Sequence, residues 1–279
     1  MASSNYSESG IGSNAIVAMV QAGILTSEFL AKVDKESGEQ TTSVQDDFRN
    51  VASGTDFAII NNGGTVILGE LDTKTIKDLN ALIFSTEENV TLYADKNFKA
   101  NVSFGEGDDT YFYTGSLNQT ISGGDGNDTI STGSGKDTIK GDGGNDSILT
   151  GAGNDTVLGG AGNDTIKTGS GNDSIVTGNG NDSIDAGAGK DKITVVTQGA
   201  VGNSDISING GTGIDTLDLS GATVATGEVN TTTKTAHIHL SDGTMLDVSN
   251  VEKFVIDTNG DGTTETINLT GLADFLNQD

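Results

Sequence analysis

Eight aspartates stand at a fixed interval of nine residues: Asp128, Asp137, Asp146, Asp155, Asp164, Asp173, Asp182 and Asp191. Each follows a glycine by two residues, and all but Asp146 follow another by four. Ile or Val comes two residues after every one of them. Three residue types held in one phase over eight units define a repeat architecture, which constrains the fold more than any local propensity. In the unit Gly159-Gly160-Ala161-Gly162-Asn163-Asp164-Thr165-Ile166-Lys167, the glycines permit tight turning at positive φ. The closing Thr-Ile-Lys reads as a short strand with Ile on one face and its neighbours on the other. A flexible Gly/Asn/Asp linker would share this composition but not its phasing.

Nine residues make half a coil, so the structural period is eighteen. The residue five before the aspartate is Gly at 123, 141 and 159 but Thr at 132, 150 and 168, as two sides of a flattened coil would require. This sorts Asp128, Asp146, Asp164 and Asp182 into one column and Asp137, Asp155, Asp173 and Asp191 into another. Carboxylates and uncrowded carbonyls on a flexible turn are oxygen-only donors, which favour calcium over magnesium or zinc. A cation is expected between successive turns of one column. The candidate ligands are the eight aspartates and the turn glycines Gly124, Gly126, Gly133, Gly135, Gly144, Gly151, Gly153, Gly160, Gly162, Gly169, Gly171, Gly178, Gly180, Gly187 and Gly189. Asp109 and Asp215 join them from the flanking runs Gly105–Asp109 and Gly210–Asp215. Asp142 stands where glycine is expected, which leaves room for one shifted turn.

The stretch from about 123 to 194 resembles the glycine-rich nonapeptide repeat of the RTX (repeats-in-toxin) family. The resemblance implies an all-β fold: a parallel β-roll or β-helix solenoid, calcium-loaded, with β-rich caps at both ends. It also implies export in the unfolded state through type I secretion machinery by an uncleaved C-terminal signal, and hence a secreted, extracellular or cell-surface location. The N-terminus, Met-Ala-Ser-Ser-Asn-Tyr-Ser-Glu, lacks the basic region of a signal peptide, in keeping with that route.

Calcium is expected to control folding. Residues 123–194 hold 19 Gly, only 11 Ile, Leu or Val, and no aromatic. One inward aliphatic per nonapeptide is a thin core against roughly 1–2 kcal/mol of backbone entropy per ordered residue, and the aspartates of a column repel one another. Metal binding then supplies the folding free energy. At about ten times the dissociation constant each ion contributes about 1.4 kcal/mol, and about eight ions supply on the order of 11 kcal/mol, the whole stability of a typical domain.

The chain carries 40 acidic and 14 basic residues, a net charge of −26, so nucleic acid and anionic membrane surfaces are unsuited partners. Without Cys there are no disulfides or thiolate metal sites. The apolar stretch Ala15–Leu25, broken by Gln21 and Gly23, is too short to span a bilayer. The repeated Asn-Asp-Thr and Asn-Asp-Ser triplets match the glycosylation pattern as by-products of the repeat.

The flanks divide the chain into four parts. Residues 1–50 form an N-terminal segment with a short helix, beginning at Thr26-Ser27-Glu28 and continued by Phe29, Leu30 and Val33. Within it Ala15–Val20 reads either as a helix on the cap or as a strand that adds to another subunit's edge. Residues 51–104 form a β-rich cap with strands near 57–60, 66–68, 82–84, 90–93 and 102–104. The β-roll occupies 105–195. Residues 196–279 form the C-terminal cap and export region, with a terminal repeat placing Leu217 in the aliphatic slot. A hairpin runs out through Ala236–Leu240, turns at Ser241-Asp242-Gly243 and returns through Leu246 and Val248, and the apolar tail 269–276 follows. Asp257, Asn259 and Asp261 alternate like the first half of an EF-hand loop, with Asn268 in place of the usual final Glu. They read either as an extra calcium site or as a polar turn. His237 and His239 share one face of the hairpin, and without a third His or a Cys they read as solvated strand residues rather than a zinc set.

No His-Glu-x-x-His and no Gly-x-Ser-x-Gly occurs, and no nucleophile or acid–base pair is evident, so the chain reads as a non-enzyme. The expected function is a calcium-binding structural protein that folds and self-assembles outside the cell, as a biofilm matrix filament or surface-layer component. The competing class is a calcium-dependent adhesin that binds a glycan, such as extracellular polysaccharide, or another surface.

Overall fold

The computed structural model describes residues 30–36, 39–45, 57–60, 64–67, 81–84, 87–94, 96–99, 101–196, 204–257 and 262–277. They fall into two units, 1–139 and 140–279. Both are built mainly of short strands, and parallel pairing between successive coils makes the fold a parallel β-solenoid.

The strands of the first unit are β1 (Leu30–Glu36), β2 (Glu39–Gln45), β3 (Phe57–Ile60), β4 (Gly64–Ile67), β5 (Ala81–Phe84), β6 (Val90–Ala94), β7 (Asn101–Ser103), β8 (Thr110–Tyr113), β9 (Thr120–Asp125) and β10 (Thr129–Ser131). They alternate between two sheets, in the orders β1-β2-β4-β6-β8-β10 and β3-β5-β7-β9. Every pairing but β1 with β2 is parallel. The register aligns Leu92 with Tyr111 and Tyr111 with Ile130, and in the other sheet Leu82 with Val102 and Val102 with Ile121. These six side chains are 0–3% exposed. Each contributes about 1.5–3 kcal/mol by leaving water. The strands expected over 57–104 therefore stack as parallel rungs on the sheets that carry the first repeats.

Leu30 and Val33 lie in strand β1, not in the helix expected there. Seven consecutive antiparallel pairs join β1 to β2, from Leu30 opposite Gln45 to Glu36 opposite Glu39. This pairing, with the β-favouring Thr41, Thr42 and Val44 opposite, overrides a weak helical spacing. The segment Ala15–Leu25 and the proposed cap at Thr26–Phe29 lie outside the described residues.

The second unit continues with β11 (Thr138–Gly143), β12 (Ser147–Leu149), β13 (Thr156–Ala161), β14 (Thr165–Lys167), β15 (Ser174–Asn179), β16 (Ser183–Asp185), β17 (Ala188–Gly189), β18 (Lys192–Thr194), β19 (Asp205–Asn209), β20 (Thr212–Gly213) and β21 (Thr216–Asp218). It closes with β22 (Val224–Asn230), β23 (Thr235–Leu240), β24 (Met245–Ser249), β25 (Lys253–Ile256), β26 (Glu265–Asn268) and the helix α1 (Leu269–Leu276). One sheet runs β12-β14-β16-β19-β24-β23-β22 and the other β11-β13-β15-β18-β21-β25-β26, while β17 pairs with β20. Ile148, Ile166, Ile184, Ile208 and Val248 form one in-register row, and Val157, Ile175, Ile193, Leu217 and Phe254 the other. All ten are 0–4% exposed. The expected hairpin is β23 and β24, antiparallel with Ala236 opposite Val248 and Ile238 opposite Leu246.

The tail 269–276 is helical. Asn268 caps it by accepting from Gly271 N at 2.8 Å, a bond that satisfies one orphan donor of the first turn, and Leu272 is fully buried. Among the described residues no helix is long and apolar enough to cross a membrane.

Candidate calcium-binding turns

All fifteen candidate glycines have positive φ, between 77° and 153°. Gly162 shows why. A Cβ there would collide with the Gly144 carbonyl oxygen one coil earlier. The same approach lets Gly144 N donate to Ala161 O at 2.7 Å and Gly162 N to Asn179 O at 2.8 Å. Glycine is thus required both by dihedral and by the packing of backbone on backbone. Asp142, the departure from the pattern, takes φ of 72° itself and shifts nothing. Asp146 beyond it still donates its N–H to Asp164 Oδ1 at 2.9 Å, as its counterparts do. A non-glycine residue in this conformation costs on the order of 1 kcal/mol. The Asp142→Gly variant is expected to stabilise the calcium-loaded protein by about 0.5–1 kcal/mol, measured by denaturant unfolding; an unchanged or lower midpoint would refute it.

The aspartates form the expected columns. In the second unit Asp146 N donates to Asp164 Oδ1 and Asp164 N to Asp182 Oδ1, at 2.9 and 3.0 Å. In the other column Asp155, Asp173 and Asp191 donate to Oδ1 of Asp173, Asp191 and Asp215 at 2.8, 2.8 and 2.9 Å. In the first unit Asp109 N donates to Asp128 Oδ1 at 2.7 Å and Gln119 N to Asp137 Oδ1 at 2.8 Å. The ten candidate ligands, Asp109, Asp128, Asp137, Asp146, Asp155, Asp164, Asp173, Asp182, Asp191 and Asp215, are at most 2% exposed.

One oxygen of each of these accepting carboxylates therefore closes the rung below. The second oxygens of Asp164, Asp182, Asp191 and Asp215 are buried and accept no hydrogen bond. A buried, unsatisfied carboxylate oxygen is costly, and it persists where something else takes its lone pairs. The space beside it is kept open by a missing side chain. A Cβ on Gly159 would press on the Thr177 carbonyl oxygen and stand 2.7 Å from Asp164 Oδ2, and one on Gly210 would press on the Asn250 carbonyl and stand 3.0 Å from Asp215 Oδ2. Unpaired carboxylate oxygens beside carbonyl oxygens fit a hard cation. Among the described residues no three Asp, Glu, His or Cys side chains gather at one point. The carboxylates instead meet in pairs along a column, and carbonyls must complete the ligand set.

Burial pushes the carboxyl groups of Asp109, Asp164, Asp182 and Asp191 up to about 6, against the lowering effect of the backbone N–H each accepts. The charges of Asp173 and Asp215 add to the effect at Asp191. Asp173 and Asp215 are raised for the same leading reason. Without a cation these turns resist ionisation.

Of the EF-hand-like loop, Asn259 and Asp261 lie outside the described residues, and Asp257 accepts from Gly262 N at 2.9 Å through Oδ2.

Three further sets of residues support the turns. The asparagine that precedes many of the aspartates is structural: Asn145, Asn163 and Asn181 accept in succession from the N–H of Asn163, Asn181 and Asp205 at 2.7–2.8 Å. Asn154 and Asn172 do the same for Asn172 and Lys190 at 2.8 Å. Thr150 and Thr168 are fully buried and donate to the carbonyls of Thr168 and Ala186. The third set is a degenerate final turn. Glu252 Oε2 accepts from Asp215 N at 3.0 Å, Asn250 takes φ of 52° where repeats have glycine, and Phe254 fills the aliphatic slot. The signal was an acidic residue two before a large apolar one, in the phase of Asp–x–Ile.

With this geometry in view, the family model of the RTX calcium-binding nonapeptide repeat matches residues 113–148, 131–166 and 167–194. The protein carries RTX calcium-binding repeats on a parallel β-solenoid. Repeats of this kind bind calcium, and their number implies several ions. No curated protein and no solved structure gives a significant match.

Proposed function

We propose that this is a secreted structural protein that folds when it meets calcium outside the cell and then self-associates into a matrix filament or surface layer. The observation that carries this reading is the set of buried carboxylates at Asp164, Asp182, Asp191 and Asp215, whose second oxygens accept no hydrogen bond and which are unfavourable without a cation and suited to one. Asp109, Asp128, Asp137, Asp146, Asp155, Asp164, Asp173, Asp182, Asp191 and Asp215 supply the carboxylates, and the turn backbone around the glycines supplies carbonyls. Carboxylate pairs stacked along a column hold charge that calcium neutralises, and −26 of net charge keeps unloaded chains apart. β22 and β26 end their two sheets beside the helix α1, and a sheet end is where another chain can add. Export through type I machinery accords with folding delayed until calcium is present.

A second reading has its own support. Tyr93 and Phe112 are 45% and 44% exposed, with ring centroids 6.1 Å apart. Thr91, Thr110 and Thr129 run in register beside them. Aromatic faces next to a hydroxyl row suit a sugar ring, which favours a glycan-binding adhesin. Sedimentation velocity with circular dichroism across a calcium titration, with magnesium as control, separates the two. Folding together with growth into large particles is expected. Folding to a stable monomer that retains a polysaccharide would move the assignment to the adhesin.

A further inference from the structure

Both histidines of the chain and one of its three methionines converge on one groove of the second unit. The groove, about 660 Å³, lies on the outer face of β19, β22, β23 and β24 and is lined by His237, His239, Met245, Asp247, Glu228 and Asp205, among others. The strand register makes the grouping. Glu228 lies opposite His237, and His237 opposite Asp247, in one row. Thr226 lies opposite His239, and His239 opposite Met245, in the next. Two residues along a strand are about 6.6 Å apart and paired strands about 4.8 Å. The two imidazoles and the thioether are thus side by side on one small patch. Their partners on the opposite face, Ala236, Ile238 and Leu246, are buried, so the hairpin is held rigidly beneath them.

His237 is already oriented. Its Nδ1 lies 2.5 Å from Asp247 Oδ1, with both side chains more than half exposed. With Asp247 accepting from Nδ1–H, the neutral ring keeps its lone pair on Nε2, the arrangement that carboxylates impose on ligating histidines. His239 stands free of the row on the same exposed face. Met245, 39% exposed, leaves a soft sulfur uncovered where a strand face would ordinarily carry a polar residue.

We propose that this groove binds a transition-metal ion of the soft-to-borderline kind, copper above all, through His237 Nε2, His239 and Met245 Sδ, with water available for remaining positions. Imidazole with thioether selects copper, and copper stands at the top of the divalent affinity order. The oxygen-only turns of the repeat select calcium, so the two sites discriminate by donor chemistry. The grouping differs from a three-carboxylate or three-imidazole cluster because its third donor is sulfur.

The test uses the full chain in saturating calcium, titrated with Cu(II) and followed by electron paramagnetic resonance, with circular dichroism on the same samples. One copper per chain with nitrogen superhyperfine coupling from imidazole is expected. The double variant His237→Ala/His239→Ala should lose that signal while keeping the calcium-induced strand spectrum, since both residues are exposed. Met245→Leu should leave Cu(II) binding largely intact and weaken Cu(I) at least tenfold in competition with a Cu(I) chelator. Copper binding without nitrogen coupling, or coupling that survives in the double variant, would overturn the assignment. So would the absence of binding by a chain whose calcium-dependent spectrum is normal; failure of that spectrum would instead count against calcium-driven folding.

Discussion

Stripped of calcium at pH 7.5, the protein is expected to lose the strand signal of its repeats, and acidification to pH 4.5 is expected to bring much of it back. The aspartate columns give the reason. Asp164, Asp182 and Asp191 are raised from 3.8 to about 6 in the folded chain, chiefly by burial. A carboxyl group with a raised folded-state pKa favours the fold when protonated. Its contribution is full below about 3.8, the unfolded value, and is lost as pH rises through about 6. A proton on the second oxygen thus relieves the same unfavourable burial that calcium relieves. In the calcium-loaded chain the dependence reverses, because binding requires the ionised form and releases protons. The apparent calcium affinity should fall as pH drops below about 6. The measurement is circular dichroism from pH 7.5 to 4.5, with chelator and with excess calcium. The midpoint distinguishes the columns from exposed carboxylates, which titrate near 4. A chelated chain whose strand signal stays constant over that range would contradict the account.

The period of nine and the alternation of Gly and Thr between the two series were enough to lay out the roll. Period two within each short strand put Ile166 and Ile175 inside, and the eighteen-residue coil put Asp164 under Asp182. The rungs before 105 were visible only as separate strands. Their parallel registration, Thr65 with Thr91 and Thr91 with Thr110, follows no fixed interval, because the loops between rungs vary in length. β1 was concealed for another reason. Leu30 and Val33 have helical spacing, and only their pairing with the adjacent β2 reveals the strand. The last turn at Asn250, Glu252 and Phe254 satisfies the same physical requirements as a repeat with different residues: Asn for positive φ, Glu for the carboxylate, Phe for the aliphatic. Pattern matching on residue identity passes over it, whereas matching on those requirements finds it. The asparagines resembled a modification motif because composition offers no sign that an exposed amide closes the coil beneath it.

Replacing Gly171 by Ala is expected to destabilise the calcium-loaded protein by about 3 kcal/mol or more, the sum of a strained backbone and a displaced neighbour. Gly171 has φ of 145°, and a Cβ there would overlap the Gly153 carbonyl oxygen. The obstacle is main chain, so no rotamer change relieves it. Moving the turn away would break Gly171 N to Ala188 O, 2.8 Å, and Asn172 N to Asn154 Oδ1, also 2.8 Å. It would also draw Asp173 Oδ1 from the Asp155 N–H it accepts at 2.8 Å, separating two members of a carboxylate column. Because each coil of a solenoid is stabilised by its neighbours, the defect should reach beyond one turn. The calcium midpoint should rise and the melting temperature fall by about 6–12 °C, at roughly 2–4 °C per kcal/mol for a domain of this size. Gly221 is the matched control. It has no atom within 4 Å of an added Cβ, and Gly221→Ala should stay within about 0.5 kcal/mol of the parent. If both alanine variants melt together, glycine at 171 is a matter of composition, and the contact of coil on coil does not set the stability of the roll.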